Sequence, residues 1–303
     1  MKYSGAFLIV LAAMFWGISG AIANVLLNKG WDPLVIAFYR GVVGLVFFLL
    51  WTLISSTQNE RHRFRFYLWS LLAGAGVAGN FVFYFLSIEA ASISIAATLM
   101  YSAPVFVLLT SLLIGLERPG LFKWVSVAMV LIGIVLLTES HDLASISTSV
   151  SGTLFGLASG VSYAVFIFGF KKASAMGSTK WVLFVSFLMF SGILILIMDL
   201  VQARDVLFSS DLGWFLTLGI LGGGLSFILY VIGLRTTLPS TASIIALIEP
   251  VTATIIGVLF LNNVLSFSQG LGMVLILVTV GLLKSKGSDQ TMNKARGHDD
   301  GNI

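Results

Sequence analysis

The sequence predicts an all-α membrane protein of ten transmembrane helices, built as two five-helix repeats inserted in opposite senses. Composition, the count of apolar runs, and an internal repeat read together with the placement of basic residues all predict it. Of 303 residues, 58% are hydrophobic and 10% charged, with a mean hydropathy of +1.02; soluble domains carry about 25% charged residues. Surface-to-volume scaling leaves a soluble chain of this length no interior large enough to hide so much apolar surface, so lipid is the solvent that fits. With no cysteine, disulfides, thiolate metal sites and cysteine nucleophiles are excluded. The net charge of +4 lies in loops and the C-terminal segment and reads as membrane topology, not as a nucleic-acid footprint.

A bilayer-spanning helix needs about 20 apolar residues. The first such run, 5–27, follows Lys2, but it is too long for a signal peptide and contains Phe15-Trp16 and Asn24, so it reads as a retained helix. Lys29-Gly30-Trp31-Asp32-Pro33 is a turn in which proline opens the second run, 33–55. A polar, basic loop at 56–65 precedes the third run, 66–88, and only Glu89 interrupts the passage to the fourth, 92–114. Glu117-Arg118-Pro119-Gly120 leads tightly into the fifth, 120–138, and a serine-rich loop at 139–150 ends the first half. The second half holds runs at 151–172, 179–201, 211–234, 238–261 and 265–284. The runs are continuously apolar, not alternating, which excludes a strand barrel. The expected units are therefore 1–140 and 151–284, followed by a polar segment, 285–303, expected to be a disordered cytoplasmic tail.

Residues 70–137 lie over 216–283 at a constant offset of 146, which sets Gly76 on Gly222, Phe81 on Phe227, Tyr84 on Tyr230, Ala96 on Ala242 and Pro104-Val105 on Pro250-Val251. The opening helices match at an offset of 147, with Phe15-Trp16-Gly17 on Ser162-Tyr163-Ala164. Five spans per half invert the second half. With a cytoplasmic N-terminus, 14 lysines and arginines fall on inner loops and tails, against Lys29 and Arg204 outside. The remaining basic residue, Arg40, lies within the second span.

Ionisable groups inside hydrocarbon are costly and mark function. Arg40 could hold a substrate carboxylate or phosphate, or snorkel, or pair with a structural carboxylate. Glu249, mid-span and directly before Pro250, could load and release a proton, partner Arg40, or bond backbone groups freed by the proline. Pro104 and Pro250 at equivalent places are expected to break helices beside a pathway. Gly76 and Gly222 allow close helix contact and hinge or sliding motion. Asn80 with Tyr84, and Ser226 with Tyr230, share a helix face at i,i+4. Together with Trp16, Tyr101 and Tyr163 they would make a mostly apolar cavity with a few placed polar groups.

These features resemble the EamA-type drug/metabolite transporters. The matching residues are Phe15-Trp16-Gly17, Arg40, Tyr84 through Pro104-Val105 and Glu117. In the second half they are Tyr163-Ala164, Tyr230, Glu249-Pro250 and Gln269-Gly270. The resemblance runs to about residue 284 and implies a multi-pass carrier of the bacterial inner membrane that exports a small metabolite, such as an amino acid, by alternating access. One departure stands out: family members often carry an acidic residue before the last span, and here that place reads Asn262-Asn263.

Enzyme signatures are absent: His62, His141 and His298 fall in loops or the tail, and no HExxH, P-loop or GxSxG occurs. The expectation is a carrier without cofactor or metal, with protons as a candidate coupling ion, acting as a monomer or homodimer. An uptake or exchange carrier for an organic cation or nucleotide-like solute, and a passive channel or structural membrane subunit, are the alternatives.

Overall fold

In lipid a chain must satisfy its backbone polar groups internally, and this one does so with helices. The computed structural model describes residues 5–55, 63–139, 149–261 and 263–299, with side chains through residue 283, and the described residues contain no strand. Seven helical runs are long and apolar enough to cross a membrane, and three shorter apolar helices, Leu121–Leu137, Thr179–Leu194 and Phe267–Leu283, accompany them.

α1 (Gly5–Asn28) ends at Gly30, whose φ of 90° lets the Trp31 amide reach back to the Leu26 carbonyl at 3.2 Å. Asp32 then caps α2 (Pro33–Ile54) by accepting from the Leu34 and Val35 amides at 2.8 and 3.1 Å. α3 (Phe64–Ala90) is followed by α4 (Ile93–Met100), capped by Ser92, and by α5 (Ala103–Leu113) and α6 (Leu121–Leu137). The second half begins with α7 (Val150–Ser174) and α8 (Thr179–Leu194), and continues through a short helix, α9 (Leu200–Val206), to α10 (Leu212–Gly219). A π-helical turn, Ile220–Leu225, joins α10 to α11 (Ser226–Thr236), and α12 (Pro239–Ala246), α13 (Ile248–Phe260) and α14 (Phe267–Asp299) complete the chain. α14 runs through Asp299, past the end of its apolar stretch and into the segment expected to be disordered.

Two expected spans are broken. The run at 92–114 divides at Tyr101-Ser102 between α4 and α5, and that at 238–261 divides at Leu247 between α12 and α13. Each break falls two or three residues before a proline: Pro104 and Pro250 sit in the first turn of the following segment, where the N–H each lacks would have had no helical partner. The run at 179–201 also stops early, at Leu194, and Asp199 caps α9 beyond it.

The halves interlock. α3 packs along α7 and α8, α2 along α8 and the π turn, and α1 along α11 and α13, while α6 and α14 pair at the periphery. Small residues permit this: a Cβ on Gly76 would lie 2.6 Å from the Phe166 amide nitrogen, and one on Gly169 would lie 2.8 Å from the Ala73 Cα. Asn80 and Ser159 add a buried exchange of hydrogen bonds between α3 and α7 at 2.9–3.1 Å. At one end of the bundle, Lys29 and the Trp31 indole nitrogen both bind Asp211, Tyr39 Oη donates to the Ala203 carbonyl, and Gln202 accepts from the Asp32 amide. These bonds tie the α1–α2 turn to α9 and α10, and those from Lys29 and Trp31 hold the Asp211 carboxyl below its ordinary range.

Candidate functional site

A cavity of about 400 Å³ lies between the halves. Late α1 (Asn24, Leu27), early α2 (Ile36), late α3 (Ile88), the start of α4 (Ile93) and the end of α6 (Thr138) line its mouth, so it opens at a single end of the bundle. Its depth is set by Trp16, Arg40, Asn80, Tyr84, Tyr101, Tyr163, Glu249 and Pro250. Seven of the nine residues expected to line a substrate cavity therefore meet there. The other two do not reach it. Tyr230 is fully buried behind Trp16, ring centroids 4.9 Å apart, and the Ser226 hydroxyl donates to the Gly222 carbonyl in its own helix at 2.9 Å. Gly76, Gly222 and Pro104 are likewise packing or helix-start residues outside the cavity wall.

Arg40 is buried, and its guanidinium stands over the Phe81 ring at 5.1 Å. Its Nε has no hydrogen-bond partner. The π turn makes room for it: a Cβ on Gly222 would lie 3.2 Å from Arg40 Nε, and one on Gly223 would overlap the Arg40 carbonyl oxygen. Such π turns often mark functional places in helices. Glu249 arrives from the other half, in the first turn of α13. The Tyr101 hydroxyl faces its carboxyl, and α1 presses close to its carbonyl because residue 17 is glycine. A helix start is a favourable place for a carboxylate.

Arg40 and Glu249 attract each other across the cavity without forming an ion pair within 4.0 Å. The ion pairs among the described residues are Lys29–Asp211, Lys123–Glu117 and Arg204–Asp205. Thus one unpartnered cationic nitrogen and one carboxyl share a mostly aromatic pocket. The Trp16 indole nitrogen is likewise buried and unpartnered. Below the pocket the path is shut by rings: Trp16 meets Phe227 at 5.1 Å, Tyr163 meets Phe166 at 4.4 Å, and Phe227 meets Phe170 and Phe187 at 5.8 and 4.9 Å. Among the described residues no cluster of three metal-ligating side chains occurs.

Phe81, Phe166, Phe227 and Thr254 line the cavity without having been singled out for it. A signal existed for two of them, since Phe81 and Phe227 are mates in the internal repeat.

The EamA-like transporter family model matches the chain twice, over residues 3–139 and 150–284. The chain belongs to that family. It is a multi-pass membrane transporter and not an enzyme. It is 27% identical to a transporter of Archaeoglobus fulgidus over 280 residues, covering 92% of this chain and 96% of that one. It is 30% identical to the threonine/homoserine exporter RhtA of Salmonella typhimurium over 227 residues, 74% of this chain and 72% of the exporter. A solved crystal structure with a TM-score of 0.76 and 19% identity covers 92% of this chain and 95% of its own, and shows the shared fold. For an EamA-like transporter, a central pocket closed at one end is the arrangement that needs a functional account.

Proposed function

We propose that this EamA-like transporter is a secondary carrier that exports a zwitterionic amino acid across the bacterial inner membrane by alternating access. The observation that carries this reading is the separation of Arg40 and Glu249, which face one cavity from different halves and leave each other unpaired. Opposite charges brought this deep without contact call for a solute that bears both. The substrate carboxylate then lies on Arg40, whose planar fork suits it. The ammonium lies toward Glu249, and the aromatic wall takes the side chain. The name of the RhtA relative supports the substrate class and the direction.

The same carboxyl can serve coupling. A proton taken up at Glu249 when the ammonium leaves would exchange one cation for the other and drive export. Ten spans in two inverted repeats, with both termini cytoplasmic, would provide the two alternately open ends; the double match of the family model supports the repeat. The closed aromatic floor favours a carrier over a channel. A nucleotide-like solute would need more cations than Arg40, and an organic cation would leave Arg40 unanswered.

Binding to purified carrier tests the reading. Threonine and homoserine should compete with each other. N-acetylthreonine, which lacks the ammonium, and the amine that lacks the carboxylate should each bind about tenfold or more weakly, the scale of one charge-assisted hydrogen bond. Equal binding of all four compounds would exclude a zwitterion site.

A further inference from the structure

The end of the bundle opposite the mouth is held by a buried charged cluster. Glu117, 6% exposed in the link between α5 and α6, accepts from the backbone amide of Ser240 at 3.2 Å and from the Ser240 hydroxyl. Ser240 lies in the first turn of α12, so a carboxylate of the first half docks on a helix start of the second. Lys123, in the first turn of α6, donates to the same carboxylate and to Ser240 Oγ at 2.9 Å. Lys171 lies near enough to feel the charge of Glu117, and it donates to the Leu234, Arg235 and Thr237 carbonyls, which fixes the approach to α12. From Lys123 to Thr138 at the mouth, α6 covers about 22 Å at 1.5 Å per residue.

The internal repeat gives this cluster a mate. At the offset of 146, Glu117 falls on Asn263, Lys123 on Gln269, and Ser240 on Ser94. The mate set lies at the mouth end, where Ser94 is in the first turn of α4 and Asn263 and Gln269 line a small polar recess. There Asn263 is exposed, and its backbone N–H donates to the Gly257 carbonyl of its own half at 3.1 Å. One end has a charged set and is closed; the other has an amide set and is open.

We propose that Glu117, Lys123 and Ser240 form a gate latch, that Asn263, Gln269 and Ser94 are its repeat-related counterpart, and that the amides in the second set bias the carrier toward the mouth-open state. In alternating access by inverted repeats, each half takes the other's arrangement in turn. Closing the mouth then brings Asn263 toward Ser94 while Glu117 leaves Ser240. A charge-assisted set is stronger than a neutral one, so the two states differ in energy by sequence alone. The inference rests on the carrier reading above but not on its substrate.

The test moves the latch. The chain has no cysteine, so a single Ala253→Cys in the cavity wall reports opening of the mouth, and a single Ser243→Cys, buried one turn behind Ser240, reports opening of the latched end. Both are read by the rate of reaction with an impermeant maleimide in oriented vesicles. Asn263→Glu with Gln269→Lys should slow labelling of Ala253→Cys about tenfold or more. Glu117→Asn with Lys123→Gln should speed labelling of Ser243→Cys by a similar factor, each change being worth at least one charge-assisted hydrogen bond in a two-state equilibrium. Should removal of the native latch prevent folding, the transplanted latch still decides, because it leaves Glu117 in place. Unchanged rates at Ala253→Cys in the folded Asn263→Glu, Gln269→Lys carrier overturn the latch. Absence of amino-acid binding with the rate shifts intact would instead count against the substrate reading alone.

Discussion

At the residue scale, the proposed function gives separable roles to the two charged groups of the cavity. Arg40 stands over Phe81 with Nε unpartnered, and in the proposed function its guanidinium takes the substrate carboxylate. Arg40→Lys retains the charge and loses the fork; Arg40→Ala loses both. We expect the alanine variant to insert normally and to weaken amino-acid binding by about ten- to hundredfold, and the lysine variant to fall between, from the strength of hydrogen bonds to charged groups. Isothermal titration on purified protein checks this, and unchanged affinity in Arg40→Ala would leave Arg40 a purely structural role. Glu249→Gln mimics the protonated carboxyl in shape. It should abolish accumulation driven by a pH gradient in proteoliposomes while sparing counterflow exchange, and full pH-driven accumulation in that variant would place the proton site elsewhere. Glu117 yields a stability prediction. Burial pushes its carboxyl up, but the bonds from Lys123 and Ser240 outweigh that and hold it below its usual 4.5. Because the folded value lies below the unfolded one, the stabilisation is fully present above about pH 4.5 and is lost as pH falls through the folded value. Thermal melts in detergent should therefore converge for wild type and Glu117→Gln on acidification below that pH, and differ above it.

At the element scale, the breaks matter more than the spans. Helix ends at Tyr101-Ser102 and Leu247 bring the Tyr101 ring and the start of α13 to the cavity, which unbroken helices would not do. The sequence marked these places with Pro104 and Pro250, yet a proline fits a helix start as readily as a kink, and only the packing around it selects between them. The same limit applied to Tyr230: its i,i+4 relation to Ser226 was legible, but the wall it joins is the layer of rings behind Trp16. Helix contacts give a further prediction. Gly76→Ala would set a Cβ 2.6 Å from backbone nitrogen of α7 and should lower the melting temperature by several degrees. Gly281→Ala, with nothing within 4 Å, should be neutral or raise stability by about 0.5–1 kcal/mol through helix propensity. A melt in which the two variants behave alike would contradict the close α3–α7 contact.

At the scale of the whole molecule, the inverted repeat and the charged latch proposed above describe a two-ended machine with a preferred end. The basic segments 56–65 and 171–180, together with the C-terminal segment, should face the cytoplasm, so Ser288→Cys should react with an impermeant thiol reagent only in inside-out vesicles. Labelling from the periplasm would reverse the orientation or alter the number of spans. The solvent, the helical class, the approximate runs and the repeat were legible in the amino-acid sequence alone, because hydropathy and spacing act locally and lipid leaves few alternatives. The sequence also placed Arg40 and Glu249 at depth and marked Asn263 as the odd counterpart of Glu117. That Arg40 and Glu249 share a cavity without pairing, and that Glu117 reaches Ser240 across the halves, emerges from the folded packing. Those facts depend on contacts between residues more than a hundred positions apart, set by glycines and broken helices whose packing no local pattern encodes.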